Sequence, residues 1–174
     1  YTPETAGSTT LVFSANDGQD DADKTYTVVL SAEQKLSALA SLIIHTGMSP
    51  ADNNVLVKNA SDTYENGVIF DPEKLSYDLT ALTDGVTQLR FRAMPQEDGA
   101  KVTLSYFNGG SKDITWKSGS SKWANCITAG KNALKITVTP PAGSNRIEQV
   151  YTFNVDCIPT LKELGASANG TARG

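Results

Sequence analysis

Apolar residues recur at every second position in separate stretches of this chain. They are Leu11 and Phe13; Tyr26, Val28 and Leu30; Leu89, Phe91 and Ala93; Val102, Leu104 and Tyr106; Leu134, Ile136 and Val138; and Tyr151, Phe153 and Val155. Alternation at this period sends one face of an extended strand inward and the other toward water. Thr and Val are frequent in these stretches, as half-buried pleated surfaces favour. Turn formers separate them: Asn16-Asp17-Gly18, Asp84-Gly85, Asp98-Gly99, Asn108-Gly109-Gly110 and Pro140-Pro141-Ala142-Gly143. Helical patterning is confined to one turn, Ser31 to Lys35. Short strands with turns at this spacing predict an all-β antiparallel sandwich. The polar stretch from Thr46 to Asn66 reads as a long insertion, with one edge strand at Val55-Leu56-Val57.

The hairpin pattern occurs twice. Thr5-Ala6-Gly7 is repeated as Thr128-Ala129-Gly130, and the inward positions after it stay in phase: Leu11 and Phe13 against Leu134 and Ile136. From the turn onward the spacing is constant. Gly143, Tyr151 and Leu161 each stand 125 residues after Gly18, Tyr26 and Leu36. Leu36-x-x-Leu39 thus returns as Leu161-x-x-Leu164. A period of this length predicts tandem units, the alternative being chance similarity between two hairpins of one sandwich. Residues 1–31 are then the closing hairpin of a preceding unit, 32–160 a complete unit, and 161–174 the start of a following unit or a linker. A lone hairpin is marginal in water, so residues 1–31 need a surface to lean on.

An ordered set of short motifs carries a resemblance. Leu36-Ser37-Ala38-Leu39 leads in, and Phe70-Asp71-Pro72 with Tyr77 follows. Then come Leu89-Arg90-Phe91-Arg92-Ala93 before an acidic turn, Val102-Thr103-Leu104 and Asn108-Gly109. Gly130-x-Asn132-x-Leu134-x-Ile136-x-Val138 and Tyr151-Thr152-Phe153-Asn154-Val155 close the set. In order and spacing these are similar to the bacterial cadherin-like β-sandwich domain family, over about residues 36–158. The resemblance implies an immunoglobulin- or cadherin-like fold. It also implies a repeat of a multi-domain secreted or cell-surface protein, mostly of Gram-positive bacteria, often beside enzymes or carbohydrate-binding modules. It brings no catalytic residues and no obligatory calcium.

Charge and composition narrow the partners. Fifteen Lys and Arg stand against 19 Asp and Glu among 174 residues, a net charge of −4. No basic stripe exists to neutralise phosphates, so nucleic acid is not an expected partner, nor is an anionic membrane surface. No apolar run reaches the length of a membrane span, so no membrane insertion is expected. No signal peptide opens the chain, which reads as processed or cut from a longer one. His45 is the only histidine. A multi-His zinc site is therefore excluded, and a Ser-His-Asp triad would have to use that residue.

Three clusters qualify as sites. Trp116 and Trp123 flank a polar loop, with Tyr106 upstream, and exposed indoles beside polar groups can stack on sugars. The bland alternative is one Trp capping the core and the other half exposed, with Trp123 the better stacking residue. Asp17, Asp20 and Asp21 share a loop whose oxygens could hold Ca²⁺. However, the EF-hand spacing is not met, and the equivalent loop from Pro140 to Arg146 has no Asp. A solvated turn is the simpler reading there, with no cofactor. Cys126 and Cys157 would, as a bridge across the final hairpin, close a loop and stabilise the unit by roughly 3–4 kcal/mol. Two buried free thiols are equally compatible with the sequence, since Ala32 stands where the repeat places Cys157.

The resulting expectation is a non-enzymatic extracellular module that spaces or presents neighbouring domains of the same protein. The alternatives are a polysaccharide-binding module using Trp116 or Trp123, and an adhesion module gripping a protein partner by a sandwich edge or loop face, which an exposed apolar patch would mark.

Overall fold

Every stretch of period-two sequence forms a strand. The computed structural model describes residues 7–15 and 24–32 by their backbone, and residues 35–158 in full. Among the described residues there is no α-helix. Ser31 and Ala32, where one helical turn was expected, belong to a strand instead. Among the described residues the first two strands, β1 (Gly7–Ala15) and β2 (Lys24–Ala32), pair only with each other.

The remaining strands build two sheets packed as a sandwich. The first has the order β10 (Gly110–Asp113), β9 (Lys101–Tyr106), β12 (Gly130–Thr139), β13 (Gln149–Ile158), β6 (Ser76–Asp78). Strand β7 (Leu82–Thr83) pairs farther along β13. The second has the order β11 (Lys122–Asn125), β8 (Gln88–Pro95), β3 (Leu39–His45), β4 (Val55–Lys58), β5 (Val68–Ile69). This is the all-β sandwich that the alternation predicts, consistent with the immunoglobulin-like fold that the motif resemblance implies. The long ladders are antiparallel, but β6 and β7 run parallel to β13, and β5 runs parallel to β4. Val55–Val57 is therefore not an edge strand, because β5 covers its outer side.

The alternating residues meet between the sheets. Leu89, Phe91 and Ala93 of β8, Val102 and Leu104 of β9, Leu134, Ile136 and Val138 of β12, and Tyr151, Phe153 and Val155 of β13 are all buried in one core. Each large apolar side chain so buried stabilises the fold by roughly 1.5–3 kcal/mol. An aromatic group anchors one end: Tyr77 stacks on Phe153 with centroids 4.9 Å apart, and Phe70 meets Tyr151 edge-on at 5.5 Å.

Two of the motifs have clear physical roles. In Phe70-Asp71-Pro72…Tyr77, the Tyr77 hydroxyl accepts from the Asp71 amide at 2.8 Å and donates to the Asp71 carbonyl at 2.6 Å. The Pro72 carbonyl accepts from the Tyr151 hydroxyl at 3.0 Å and from Gln149 Nε2 at 3.1 Å. Buried phenols thus satisfy their polar ends by pinning a loop that has no ladder of its own. In Gly130-x-Asn132, Gly130 takes a φ of 89°, which suits glycine. Asn132 Oδ1 then accepts from the Thr128 amide at 2.9 Å, while Nδ2 donates to the Thr128 and Gly130 carbonyls. The side chain closes the turn that feeds β12.

The two hairpins share one register. The β1–β2 ladder runs in nine pairs from Gly7↔Ala32 to Ala15↔Lys24. The β12–β13 ladder runs in nine pairs from Gly130↔Cys157 to Val138↔Gln149. Each begins at the glycine of the repeated Thr-Ala-Gly. Phe13 faces Tyr26 as Ile136 faces Tyr151.

Candidate functional site

The two tryptophans sit where the chain crosses from one sheet to the other. After β10 the segment leaves the first sheet, and Thr115 forms a parallel bridge with Ala93 of β8 in the second. Buried Ile114 fills the crossing. The chain turns through Lys117–Ser121 and returns as β11, with Trp123 opposite Arg90. Trp116 is half-buried: its indole N–H donates to the Gly119 carbonyl at 3.2 Å, and the Arg92 guanidinium lies 5.6 Å from the ring centroid. Trp123 is 45% exposed, with Lys112 Nζ 3.8 Å from its ring centroid. Tyr106 lies apart from both. Its ring packs against the Gly110 backbone, where a Cβ would fall 2.2 Å from a ring carbon, and it meets Phe107 edge-on at 5.5 Å. Among the described residues no ring pair joins the three expected aromatics.

A polar groove of about 440 Å³ opens at the crossing loop, lined by Asp113, Thr115, Lys117, Ser118 and Lys122 but not by Trp116 or Trp123. Burial alone would raise the Asp113 carboxyl. Hydrogen bonds from the Thr115 amide and hydroxyl, and the charges of Lys101 and Lys122, together hold it below the usual carboxylate range. The groove therefore offers a carboxylate, a hydroxyl and ammonium groups, while the Trp123 ring carries Lys112, which does not line it.

Behind the crossing loop lies a polar latch that sequence reasoning did not find. Ser121 is buried; its Oγ accepts from Arg92 Nε at 3.0 Å and shares a 2.9 Å hydrogen bond with His45 Nε2. His45 is fully buried at the end of β3. Its Nδ1 has no hydrogen bond of good geometry, although the nearby Gly47 backbone favours the protonated ring. Burial, helped by the charges of Arg92 and Arg90, nevertheless drives the imidazole pKa from 6.5 down to about 4. The ring is neutral at physiological pH and holds the Trp116–Ser121 loop against β3 and β8. His45 directly after Leu42-Ile43-Ile44 was the only sequence signal, and its partner lies 76 positions away.

The cysteines form no bridge. Both are free and buried. The bridge presumed that Cys126 flanks the final hairpin beside Cys157. Instead Cys126 directly follows β11 in the second sheet, and Cys157 pairs with Gly130 in the first. Burial pushes the Cys126 thiol up to about 12, so it packs as a small apolar group. Cys157 Sγ lies 3.5 Å from the Thr83 carbonyl. Asp17, Asp20 and Asp21 fall outside the described residues.

The lead-in end of the sandwich holds a larger groove, about 660 Å³. Leu36 and Leu75 line it at 42% and 45% exposure, and Ile147, paired with Leu36, is 39% exposed. The chain is tied firmly here: the Ile147 amide donates to the Lys35 carbonyl, the Ser37 amide to the Ile147 carbonyl, and Arg146 Nη1 to the Leu36 carbonyl. Among the described residues no helix is long and apolar enough to cross a membrane. Compared with known proteins, the chain matches no family model, no curated protein and no solved structure.

Proposed function

We propose that this chain is a repeat module of a longer secreted or cell-surface protein, a non-catalytic β-sandwich that spaces or presents the domains beside it. The observation that carries the reading is the shared register of the two hairpins. The same nine-pair ladder, starting at the same Thr-Ala-Gly, occurs once inside a sheet of this sandwich and once, among the described residues, as a two-stranded sheet. A ladder that matches a central hairpin and has no flanking strand among the described residues is what the end of a neighbouring unit provides. The cadherin-like motif order agrees with this, and function then lies in the domains so spaced.

A second reading, sugar binding near the crossing loop, draws on the exposed Trp123 of β11. One experiment separates the two. The chain and its Trp123→Ala variant are screened against polysaccharides and glycans. The module reading expects no saturable binding by either. Binding that vanishes with Trp123 would overturn it in favour of a carbohydrate-binding module.

A further inference from the structure

We infer that consecutive units stack in fixed orientation, the groove at the lead-in end of this sandwich receiving the far end of the preceding unit. The inference rests on the repeat reading proposed above, and it goes further by naming the surface and its occupant.

Covalent geometry supplies the first argument. The β1–β2 ladder ends at Gly7↔Ala32. Lys35 is already bound to this sandwich through its carbonyl, which accepts from the Ile147 amide at 3.1 Å. Only Glu33 and Gln34 lie between. Three Cα steps, fully extended, span about 11 Å, which is close to the spacing of two packed β layers. A unit that ends at Ala32 therefore has no room to stand clear of one that begins at Lys35. Lys35 and Leu36 themselves line the groove.

The character of the surface supplies the second. Domains joined by a linker move relative to each other unless their interface is large and apolar. At this end of the sandwich exposed Leu36 and Leu75 line one concavity together with Lys35, Asp71, Glu73 and Arg146, and exposed Ile147 pairs with Leu36. Pro72, which also lines it, is fixed by Tyr151 and Gln149. The surface is preformed, carries exposed leucines among charged groups, and is placed at the point where the chain enters.

The occupant follows from the repeat. The preceding unit presents the end at which β1 starts and β2 stops. In this unit the corresponding end carries Gly130, Cys157 and Ile158, the last 60% exposed. The spacing from Ala32 to Leu36 equals that from Cys157 to Leu161. Every junction then has one length and one pair of faces, and equal junctions repeated along a chain give a regular rod.

The test uses the natural polypeptide extended upstream through the unit that β1 and β2 close, with one distance label in each unit. We expect a narrow inter-unit distance distribution that broadens and loses its single maximum in Leu75→Asp and in Leu36→Asp. Both residues are exposed, and thermal unfolding of each variant checks that the sandwich still folds. A broad distribution in the unsubstituted polypeptide overturns the inference. So does a narrow one that neither substitution changes, because the contact would then lie elsewhere. If circular dichroism and hydrogen exchange show no second sandwich upstream, the repeat reading itself fails, which is a different result from a flexible junction between two folded units.

Discussion

The two hairpins of this chain are nearly the same object in different surroundings. Each is a nine-pair antiparallel ladder that starts at a repeated glycine and sets an apolar residue opposite a tyrosine. Strand β12 has β9 on its outer side, and β13 has β6 and β7. Strands β1 and β2 have each other alone among the described residues. The comparison separates two causes. Local sequence is sufficient to set the ladder and its register, through the turn, the glycine and the alternation. The flanking strands convert a marginal hairpin into part of a cooperative core.

Substitutions at equivalent positions should expose that difference, and the largest effect is at the core. Phe153 is fully buried against Tyr77. Phe153→Ala should cost about 3–5 kcal/mol of the sandwich's unfolding free energy. The equivalent change in the first hairpin, Val28→Ala, should leave the same denaturant midpoint within about 0.5 kcal/mol. A large loss from Val28→Ala would mean that the first hairpin belongs to this sandwich.

The next effect reports on the sandwich alone, since the only histidine lies in it. His45 titrates near 4 when folded and near 6.5 when unfolded. Above pH 6.5 the ring is neutral in both states and carries no penalty. Between 6.5 and 4 the unfolded chain takes up a proton that the folded one refuses, so stability falls as pH falls. Below 4 the loss is complete, at about 3 kcal/mol. Urea midpoints measured across this window should decline, and His45→Gln should flatten that part of the decline. An unchanged slope in the variant would assign the loss to other groups.

A smaller effect is expected at the turn. Asn132→Ala removes the acceptor for the Thr128 amide and the donors to two carbonyls. It should destabilise the sandwich by about 2 kcal/mol. Thr9 holds the equivalent place in the first hairpin, and Thr9→Ala should leave that midpoint unmoved. The smallest effect belongs to Trp123→Ala, at an exposed edge position, with a stability change within about 0.5 kcal/mol by thermal unfolding.

The long strands were legible because period-two alternation is a local signal, and Leu89 to Ala93 or Leu134 to Val138 carry it without interruption. The duplicated hairpin was legible for the same reason. The short parallel strands were not. Val68–Ile69 and Leu82–Thr83 are too brief to show any period, and the partner of Leu82–Thr83 lies 75 positions away, at Cys157–Ile158. Cys126 was misplaced because a short lead into the final hairpin and a change of sheet look alike in sequence; only the pairing of Ala124 with Leu89 puts its strand in the second sheet. The candidate site was legible in part. Trp123 was recognised as the exposed indole, but His45, Ser121 and Arg92 come from three separate segments. The lead-in groove likewise depends on Leu36, Leu75 and Arg146 meeting from across more than a hundred positions.

Hydrogen exchange of the whole chain, resolved by segment, tests the central claim most directly. If β1–β2 closes a different unit, its amides should exchange through an opening that costs less than unfolding the sandwich, and Phe153→Ala should not change their rate. The β12–β13 amides should exchange only with global unfolding and lose protection in the variant. One common exchange free energy for both ladders, falling equally in Phe153→Ala, would contradict the account and make the first hairpin a part of this sandwich.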